Sequence, residues 1–378
     1  MIIKTKDFQE AANKILLASG LDKNAANLEL VTRNSTLYLN VTNREFYVSV
    51  KFPADVADGF RAVVDANSLL TLISGITAET FEILVEDNLV KINAGKSKYK
   101  LAMIFENDHL MALSPITITN QTLDMTISKD ILSSIVNVNS KEIAKLKGNM
   151  VANDLQKLYY IDETGCFTFT TGSCLNSFTL EKPVKLLLND RIVKLFKLFK
   201  DDVAFSMGQD PVGNGAIVTK IAMQTEDVYL GALVTCDDTL IAKVQAPCAA
   251  TKRFISEPYD YSLVLSANEV SSAINRILGF TRNNKSDVKP DLSIFKVTAT
   301  IEGNDLTFRD KYDNTESITI ENGSNMISDV YTFKVNLVDI KLVVDSCHNE
   351  HVTFNCGNHR SVVITRGPIS NLIPEMRD

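Results

Sequence analysis

Apolar residues recur along this chain in one order that is used three times. A helical spacing of apolar positions opens near residues 6, 128 and 266, and each is followed by strand-like alternation, a second helical pattern and further strands. The 378 residues therefore divide into three copies of about 126 residues each. The pattern predicts an α+β protein of three repeated domains, each with two helices packed on sheets. We place these domains at 1–118, 119–250 and 251–378.

Capping residues, strand patterns and prolines locate the helices, strands and linkers of the three copies. Asp65 is a capping residue ahead of a second helix in the first copy, and Ser128 is a predicted N-cap in the second. Further helices are predicted near 187–200 and 335–346. Strands are predicted in all three copies, among them 217–224, 228–234, 351–356 and 361–366. Prolines predict linkers near 105–121 and 246–258.

The amino-acid composition is typical of a soluble globular protein. Apolar residues make up 45% and charged residues 22%, and no apolar run reaches the roughly 20 residues that span a bilayer. We therefore expect no membrane partner. The six cysteines are scattered without a CxxC pair, which favours reduced thiols in the cytoplasm. The net charge of −7 alone argues against a nucleic-acid partner.

The distribution of charge is more informative than its sum. In the helix predicted at 187–200, an apolar stripe is formed by Leu188, Ile192, Leu195 and Phe199. The opposite side carries four cations, namely Arg191, Lys194, Lys197 and Lys200. Such a row is suited to a phosphate backbone, although a solvated surface helix explains it equally simply. Other cations on or beside predicted helices are Lys14, Lys145, Lys147, Arg276, Arg282, Lys334 and Lys341.

One cluster has the residue types of a metal site. Cys347 and His351 are followed by Cys356 and His359, and zinc accepts such ligands. The spacing matches no standard zinc finger, and strand alternation sends His351 and Cys356 to opposite faces. We therefore favour core cysteines and surface histidines, and predict neither a metal nor a cofactor. No GxxxxGK[ST], GxSxG or HExxH motif is present, so no catalytic residue is predicted.

Several segments resemble those of bacterial DNA sliding clamps, the β subunits of DNA polymerase III. The segment 34–43 resembles the family's "G-x-L-x-L-x-x-T-D/N" strand pair, and 64–76 resembles its second helix. The most specific match is 89–101, which is similar to the hairpin "L-x-I-x-x-G-x-S-x-F-x-L". In the second copy, 170–175 resembles "T-D-G-H-R-L". The matches occur in the family's order along nearly the whole chain.

This resemblance implies a processivity factor, not an enzyme. It implies a homodimer of three-domain crescents, joined head to tail around duplex DNA, with helices inside and sheets outside. Heterologous contacts that close produce a ring. The implied partners are double-stranded DNA of any sequence, the replicative polymerase, a clamp loader and a second copy of the chain. The cations listed above would then face the DNA.

The resemblance also implies two protein interfaces. Tyr99 and Leu101 match the family's contact strand in domain one, and Ile277 and Leu278 match the apolar pair of the opposing domain. Leu278 lies about 100° beyond Ile277, which turns it away from the helix's apolar stripe and favours it as the contact residue. A pocket for partner peptides is matched by Leu175, Pro247, Pro374 and Met376.

The pocket departs from the family's pattern. Ser173 and Cys174 replace its His-Arg pair, and the C-terminal residues align in two ways that differ by one position. Such drift is typical of a divergent member with its own partners, as a virus or plasmid would encode. Two other classes stay open. A repeat-built structural or interaction protein, such as a virion component, would not encircle DNA, and a metal hydrolase would use residues 347–359.

Overall fold

A computed structural model describes residues 1–22, 26–53, 59–144, 157–169, 173–211, 217–235, 237–283, 295–324, 330–347, 350–357 and 361–376. The chain groups into two compact units. Unit 1 consists of residues 1–129 and 194–235, and unit 2 of residues 130–193 and 236–378. Each unit contains a large antiparallel sheet, a four-stranded sheet and helices.

The first copy follows the predicted order. Its helices are α1 (Thr5–Ser19) and α2 (Ala66–Ser74). Asp65 caps α2 as expected, because its carboxylate accepts the Ser68 N–H at 2.7 Å. The strands are β1 (Ile2–Lys4), β2 (Asn27–Arg33), β3 (Thr36–Thr42), β4 (Phe46–Pro53), β5 (Arg61–Asp65), β6 (Thr80–Glu86), β7 (Leu89–Ala94), β8 (Ser97–Ala102), β9 (Phe105–Glu106) and β10 (His109–Leu110).

The second copy has shorter helices. It contains α3 (Lys129–Ser134), a π-helical turn (Ile135–Asn139), α4 (Ser140–Ala144), α5 (Asp190–Leu195) and a 3₁₀ turn (Phe196–Leu198). Its strands are β11 (Gln121–Ile127), β12 (Leu158–Asp162), β13 (Gly165–Phe169), β14 (Ser173–Ser177), β15 (Lys185–Asn189), β16 (Val203–Pro211), β17 (Ile217–Gln224) and β18 (Val228–Val234).

The helix predicted at 187–200 begins later than the pattern indicated. Leu186, Leu187 and Leu188 lie in β15, where they pair with β12, and all three are buried. A run of three leucines has no helical period of its own, so strand pairing decides its conformation. The helix begins only after Asn189, whose side-chain oxygen accepts the Ile192 N–H at 3.1 Å.

The third copy begins with a helix that the sequence did not predict, α6 (Asp238–Ser256). The other helices are α7 (Ala267–Asn283) and α8 (Leu337–Val344). The strands are β19 (Tyr261–Ser266), β20 (Lys296–Glu302), β21 (Asp305–Arg309), β22 (Thr315–Thr319), β23 (Asn322–Ser324), β24 (Tyr331–Asn336), β25 (His351–Cys356), β26 (Ser361–Arg366) and β27 (Ile369–Pro374).

Helix α6 corrects the prediction of a linker near 246–258. Pro247 lies inside the helix, and the domain boundary predicted between residues 250 and 251 also falls there. An interior proline removes one backbone hydrogen bond and costs about 3 kcal/mol. Burial of Ile241, Val244 and Cys248 against the sheet of unit 2 compensates for that cost. The tertiary packing therefore overrides the local signal for a break.

Unit 1 is built around α1. Its large sheet has the order β11-β16-β17-β18-β4-β3-β2-β5, and its smaller sheet has the order β1-β6-β7-β8. Phe8 of α1 is fully buried. Its ring meets Phe52 and Phe81 edge to face, with centroids 6.0 and 5.5 Å apart. The helix thus packs on both sheets of the unit through one aromatic cluster.

Unit 2 contains a continuous nine-stranded sheet with the order β15-β12-β13-β14-β27-β26-β25-β19-β23. Strand β14 pairs with β27 through three residue pairs, among them Leu175–Leu372 and Asn176–Asn371. The second and third copies are therefore joined by a sheet. The second sheet of this unit has the order β22-β21-β20-β24.

The two faces of β14 differ. Asn176 points toward the helical layer, where it is buried with Ser134 and Asn139 and bonds both side chains at 3.0 and 3.1 Å. Leu175 points to the opposite face, into an apolar cluster with α6. The helices α3 and α4 with their π-helical turn therefore lie on one side of this sheet, and α6 lies on the other.

Candidate nucleic-acid and subunit interfaces

The segment around α5 holds the densest group of predicted DNA-contacting cations. Arg191, Lys197 and Lys200 are exposed, and Lys194 is half-buried. Leu188, Ile192, Leu195 and Phe199 are all buried, but only Ile192 and Leu195 lie on α5, since Leu188 belongs to β15 and Phe199 follows the 3₁₀ turn. The burial of Ile192 and Leu195 turns the cations of α5 outward, because residues on one side of a short helical segment fix the direction of the other side.

Two cations of unit 1 lie against carboxylates. Lys14 of α1 forms an ion pair with Asp227, and Lys200 Nζ lies 3.7 Å from Glu10 Oε1. Burial acts to raise the pKa of Asp227, but the hydrogen bonds from Lys14 and Thr225 bring that pKa below its ordinary value. Lys14 is thereby neutralised and half-buried, so it is a weak candidate for a phosphate contact.

The cations of the third copy are also engaged with the protein. Arg276 on α7 makes a bidentate pair with Glu316 on β22, with both N–O distances at 2.8 Å. The hydrogen bond from Arg276 lowers the pKa of Glu316. Lys341 on α8 lies 2.6 Å from Asp345. Lys334 is on strand β24 and not on a helix. These three positions serve the packing of their own copy.

Three predicted cations fall outside what can be described. Lys145 and Lys147 lie beyond the described residues, and the side chain of Arg282 is not among those described. An additional cation was missed by sequence reasoning. Lys141 is exposed in the last turn of α4, beside the π-helical turn that breaks the regular helical period. The π-helical turn shifts the residues that follow it, so a period of 3.6 residues does not predict the direction in which Lys141 points.

Two edge strands carry opposite charge. Strand β8 is the last strand of its sheet in unit 1, and β22 is the last strand of its sheet in unit 2. Residues 89–102 contain four lysines and no acidic residue, for a net charge of +4. Residues 302–321 contain six acidic and two basic residues, for a net charge of −4. Exposed edges accept another strand, and opposite charges select the partner.

Strand β8 supports part of the predicted contact. Tyr99 is 40% exposed, and Leu101 is half-buried. The flanking Lys98 and Lys100 are exposed as well, so β8 presents side chains outward on both of its faces. An aromatic residue between two lysines on an unpaired edge is suited to an interface.

Helix α7 requires a correction. Ile277 is 1% exposed and Leu278 is 3% exposed, and both belong to the core of the third copy. The expectation that Leu278 turns away from the core is wrong, because the apolar face of α7 is wide enough to include it. Phe280, which the sequence reading did not single out, is 57% exposed on the same helix. It is the better candidate for an apolar contact.

A shallow groove runs beside the β22 edge. Its volume is about 420 Å³, and it is lined by α7 and β22 residues that include Glu269, Ser272, Arg276 and Ser317. The lining is mostly polar, and the groove is open to solvent. It therefore offers hydrogen-bonding groups next to a strand edge, and no enclosed cavity for a small molecule.

The four predicted pocket residues lie in different environments. Leu175 is fully buried beneath α6, and Pro247 is exposed on the outer side of that helix. Pro374 and Met376 are half-buried, and Met376 donates its N–H to the Lys334 carbonyl at 2.8 Å. Pro374 ends β27, a strand that the sequence reading missed because it placed these residues in a pocket wall.

The cysteines of the 347–359 cluster belong to the core. Cys347 and Cys356 are fully buried, and burial raises the pKa of Cys356 to about 12. His351 is exposed and contacts Glu321 at 2.7 Å, so it faces away from Cys356 as predicted. His359 lies outside the described residues. Among the residues that are described, no three His, Cys, Asp or Glu side chains converge as metal ligands do.

Comparison with models of protein families gave no match, and comparison with curated proteins gave none either. Solved structures match along the whole chain. DNA polymerase III subunit beta from Pseudomonas aeruginosa is 14% identical, with all of both chains covered and a TM-score of 0.67. The Helicobacter pylori beta clamp, bound to a DNA ligase peptide in its structure, is 16% identical, with a TM-score of 0.67 over 100% of this chain and 99% of that one.

The beta subunit from Thermotoga maritima is 14% identical with a TM-score of 0.67, and covers 100% of this chain and 99% of its own. The architecture is therefore that of DNA sliding clamps. In particular, it is the fold of the bacterial DNA polymerase III beta subunit, which confirms the predicted fold class. In the described part of the chain, no helix combines the length and the apolar character needed to cross a lipid bilayer.

Proposed function

We propose that this chain is a DNA sliding clamp, a processivity factor that encircles duplex DNA and tethers the replicative polymerase. The full-length match to beta-subunit structures carries the proposal. The threefold order of helices and strands supports it, because repeated modules are what a ring is built from. Neither the sequence motifs nor the described clusters supply catalytic chemistry, and a mechanism based on enclosure needs none.

Two copies would join head to tail. We propose that β8 of one copy lies beside β22 of the second, so that the positive hairpin of residues 89–102 meets the negative segment 302–321. Backbone hydrogen bonds between the two edges would provide affinity, and the opposite charges would set the orientation. Tyr99 and Phe280 would be the apolar anchors of this contact.

The segment with Arg191, Lys194 and Lys197 would meet the phosphate backbone. Lysine and arginine contacts to phosphates are independent of sequence and are weakened by salt. Such contacts hold the DNA near the protein without reading its sequence, and electrostatic contacts of this kind let a protein slide along the duplex. The ion pairs of Lys14, Arg276 and Lys341 with acids of the chain limit how much positive charge the other helices contribute.

The proposed protein partners are the replicative polymerase and a clamp loader. The Helicobacter pylori beta clamp was solved with a DNA ligase peptide bound, which supports a peptide-binding surface in the present chain. In the present chain the corresponding candidate residues are grouped around Leu175 and the end of β27.

Retention on circular DNA tests the proposal directly. The protein is diluted to dissociate the dimer and concentrated in the presence of a nicked plasmid, and the complex is separated by gel filtration at raised salt. We expect the chain to remain with the circle and to be lost when one cut linearises the same plasmid. Equal retention on both forms would rule out enclosure and favour a structural or interaction protein.

A charge reversal tests the DNA-facing segment. For Lys194→Glu combined with Lys197→Glu, we expect weaker binding to duplex DNA, and the salt slope, log K against log salt concentration, to fall by about 0.9 for each lost phosphate contact. The control is Lys182→Glu with Lys243→Glu, two exposed lysines outside the proposed dimer contact whose reversal changes the net charge equally. Electrophoretic titrations at several salt concentrations measure both. An identical loss in the control would assign the effect to net charge alone.

A further inference from the structure

Helix α6 lies across an apolar surface that six neighbouring strands form on one face of the unit 2 sheet. Beneath it are Tyr160, Phe167, Leu175, Leu187, Val363 and Leu372, which belong to β12, β13, β14, β15, β26 and β27. A helix of 19 residues is about 28 Å long, and six strands span about 24 Å. The helix is therefore as long as the surface that it covers.

The fully buried part of the contact between α6 and that surface is narrow. Of its side chains, Ile241, Val244, Cys248 and Thr251 are buried, which is a single stripe with i, i+3, i+7 and i+10 spacing. Lys252 adds one ion pair, 2.5 Å from Asp162. Leu240, Phe254 and Ile255 flank this stripe and are half-buried against the same apolar cluster. Beyond the C-terminal end of the helix, Tyr259 Oη lies 3.0 Å from Ser361 Oγ. Most of the helix surface faces solvent.

The helix is also weak in itself. Pro247 removes an interior backbone hydrogen bond near its middle, and the parts on either side of it are each shorter than the roughly 12–15 residues below which a free helix is marginal. Asp237 supplies an N-cap through the Thr239 and Leu240 N–H groups, at 2.8 and 3.1 Å. Helical structure in this segment therefore depends on docking to the sheet, so that undocking and unwinding are coupled.

The surface under α6 does not depend on the helix in the same way. Its strands are hydrogen-bonded in a continuous sheet, and the opposite face is filled by Asn139, Asn176 and their neighbours. Displacing α6 would leave an apolar strip with Asp162 at its side, because the sheet keeps its own hydrogen bonds. A strip of that kind binds an amphipathic segment.

We propose that α6 is a displaceable cover on a docking surface for a protein segment, and that it occupies the surface as an internal ligand until a partner replaces it. The helix defines the chemistry of that partner. It is a short segment with two or three aliphatic side chains along one face and a lysine or arginine placed to pair with Asp162. The inference deepens the proposed function, on which it rests for the view that the segment belongs to a replication protein.

A labelled peptide with the sequence of residues 238–256 provides the probe. In the full-length chain, Val244→Asp should undock α6, since a carboxylate is costly in the apolar stripe. The apparent affinity for the peptide is reduced by the fraction of molecules whose surface is covered, so we expect this variant to bind at least about tenfold more tightly than the unmodified chain. Ala249→Asp, on the exposed side of α6, is the matched control and should bind like the unmodified chain.

The charge requirement is tested with a second peptide in which Lys252 is replaced by Glu. We expect its binding to the Val244→Asp chain to be at least about tenfold weaker, because it places a carboxylate beside Asp162. Equal binding of the two peptides would overturn the predicted partner chemistry. If Val244→Asp remains folded by circular dichroism and binds neither peptide, the docking surface itself is refuted.

If Val244→Asp does not fold, hydrogen exchange on the unmodified chain tests the proposal instead. We expect the amides of α6 to exchange at least about tenfold faster than those of β14 and β27, because local undocking precedes global unfolding. Exchange of the α6 amides at the same rate as those of the sheet would show that α6 stays docked until the protein unfolds, and would overturn the inference. None of these measurements uses DNA, so the result is independent of retention on circular plasmids.

Discussion

Phe280→Asp is expected to convert a dimer of this chain into monomers at concentrations where the unmodified protein is dimeric. The proposed contact joins the β8 edge of one copy to the β22 edge and α7 of the second, and Phe280 is the large apolar side chain that α7 leaves exposed. Aromatic anchors of an interface contribute about 2 kcal/mol or more, so the dissociation constant should rise by roughly 30-fold or more. Sedimentation velocity over a range of concentrations measures the change.

The control for Phe280→Asp is Ile217→Asp. Ile217 is also an exposed apolar residue, but it lies at the start of β17 in a different sheet. Its substitution adds the same negative charge and should leave the dimer intact. A Phe280→Asp dimer as stable as the unmodified one would contradict the placement of the interface, and a trimer of the unmodified chain would contradict a ring of six modules.

A second set of substitutions tests the opposite charges of the β8 and β22 edges in the same dimer. Lys98→Glu with Lys100→Glu removes the positive charge of β8 next to Tyr99. Because electrostatic complementarity acts mainly on association, these changes should slow dimer formation and reduce its dependence on salt, while Phe280→Asp should act mainly on dissociation. Stopped-flow mixing of differently labelled copies separates the two rates.

Phe8→Ala should produce the largest loss of stability among the substitutions considered. Phe8 is fully buried between Phe52 and Phe81, and its removal leaves a cavity where α1 meets both sheets of unit 1. Substitutions of this kind cost about 3–5 kcal/mol, because burial is lost and the surroundings relax only partly. Unfolding in urea, followed by circular dichroism, measures the free energy of unfolding.

The control for Phe8→Ala is Leu16→Ala on the same helix. Leu16 is exposed, so its truncation should change the free energy of unfolding by no more than about 0.5 kcal/mol. Hydrogen exchange locates the effect, which should be confined to residues 1–129 and 194–235. A loss of protection shared equally by unit 2 would contradict the independence of the two units.

Phe8→Ala should also affect DNA retention, because α1 carries side chains that contact the neighbourhood of the proposed DNA-facing segment. Glu10 and Lys14 of this helix contact Lys200 and Asp227, so undocking α1 would release side chains next to the proposed DNA-facing segment. We therefore expect Phe8→Ala to weaken DNA retention at temperatures below its unfolding transition. Leu16→Ala should retain DNA normally.

Regular elements with strong periodicity were predictable from the sequence. Strands β17 and β18 were predicted with the observed bounds, and so were β25 and β26. Each is a short run rich in apolar and β-branched residues with turn signals near its ends, so local information is sufficient. The amphipathic helices α1 and α7 were found for the same reason.

Elements whose conformation depends on distant partners were not predictable. The leucines of β15 become a strand because β12 pairs with them, and α6 becomes a helix because a sheet surface lies beneath it. The direction of Leu278 was misjudged because the width of a buried helix face is set by what packs against it. Each of these contacts is made by residues far away in the sequence.

The candidate site divides along the same line. The sequence by itself determined the threefold order, the cation-rich segment around α5, and the opposite charges of residues 89–102 and 302–321, because composition and short-range periodicity are properties of the chain alone. Only the tertiary structure decided that β8 and β22 are sheet edges, that Phe280 and not Leu278 is exposed, and that α6 covers Leu175. The physical reason is that exposure and pairing are set by contacts between residues distant in the chain.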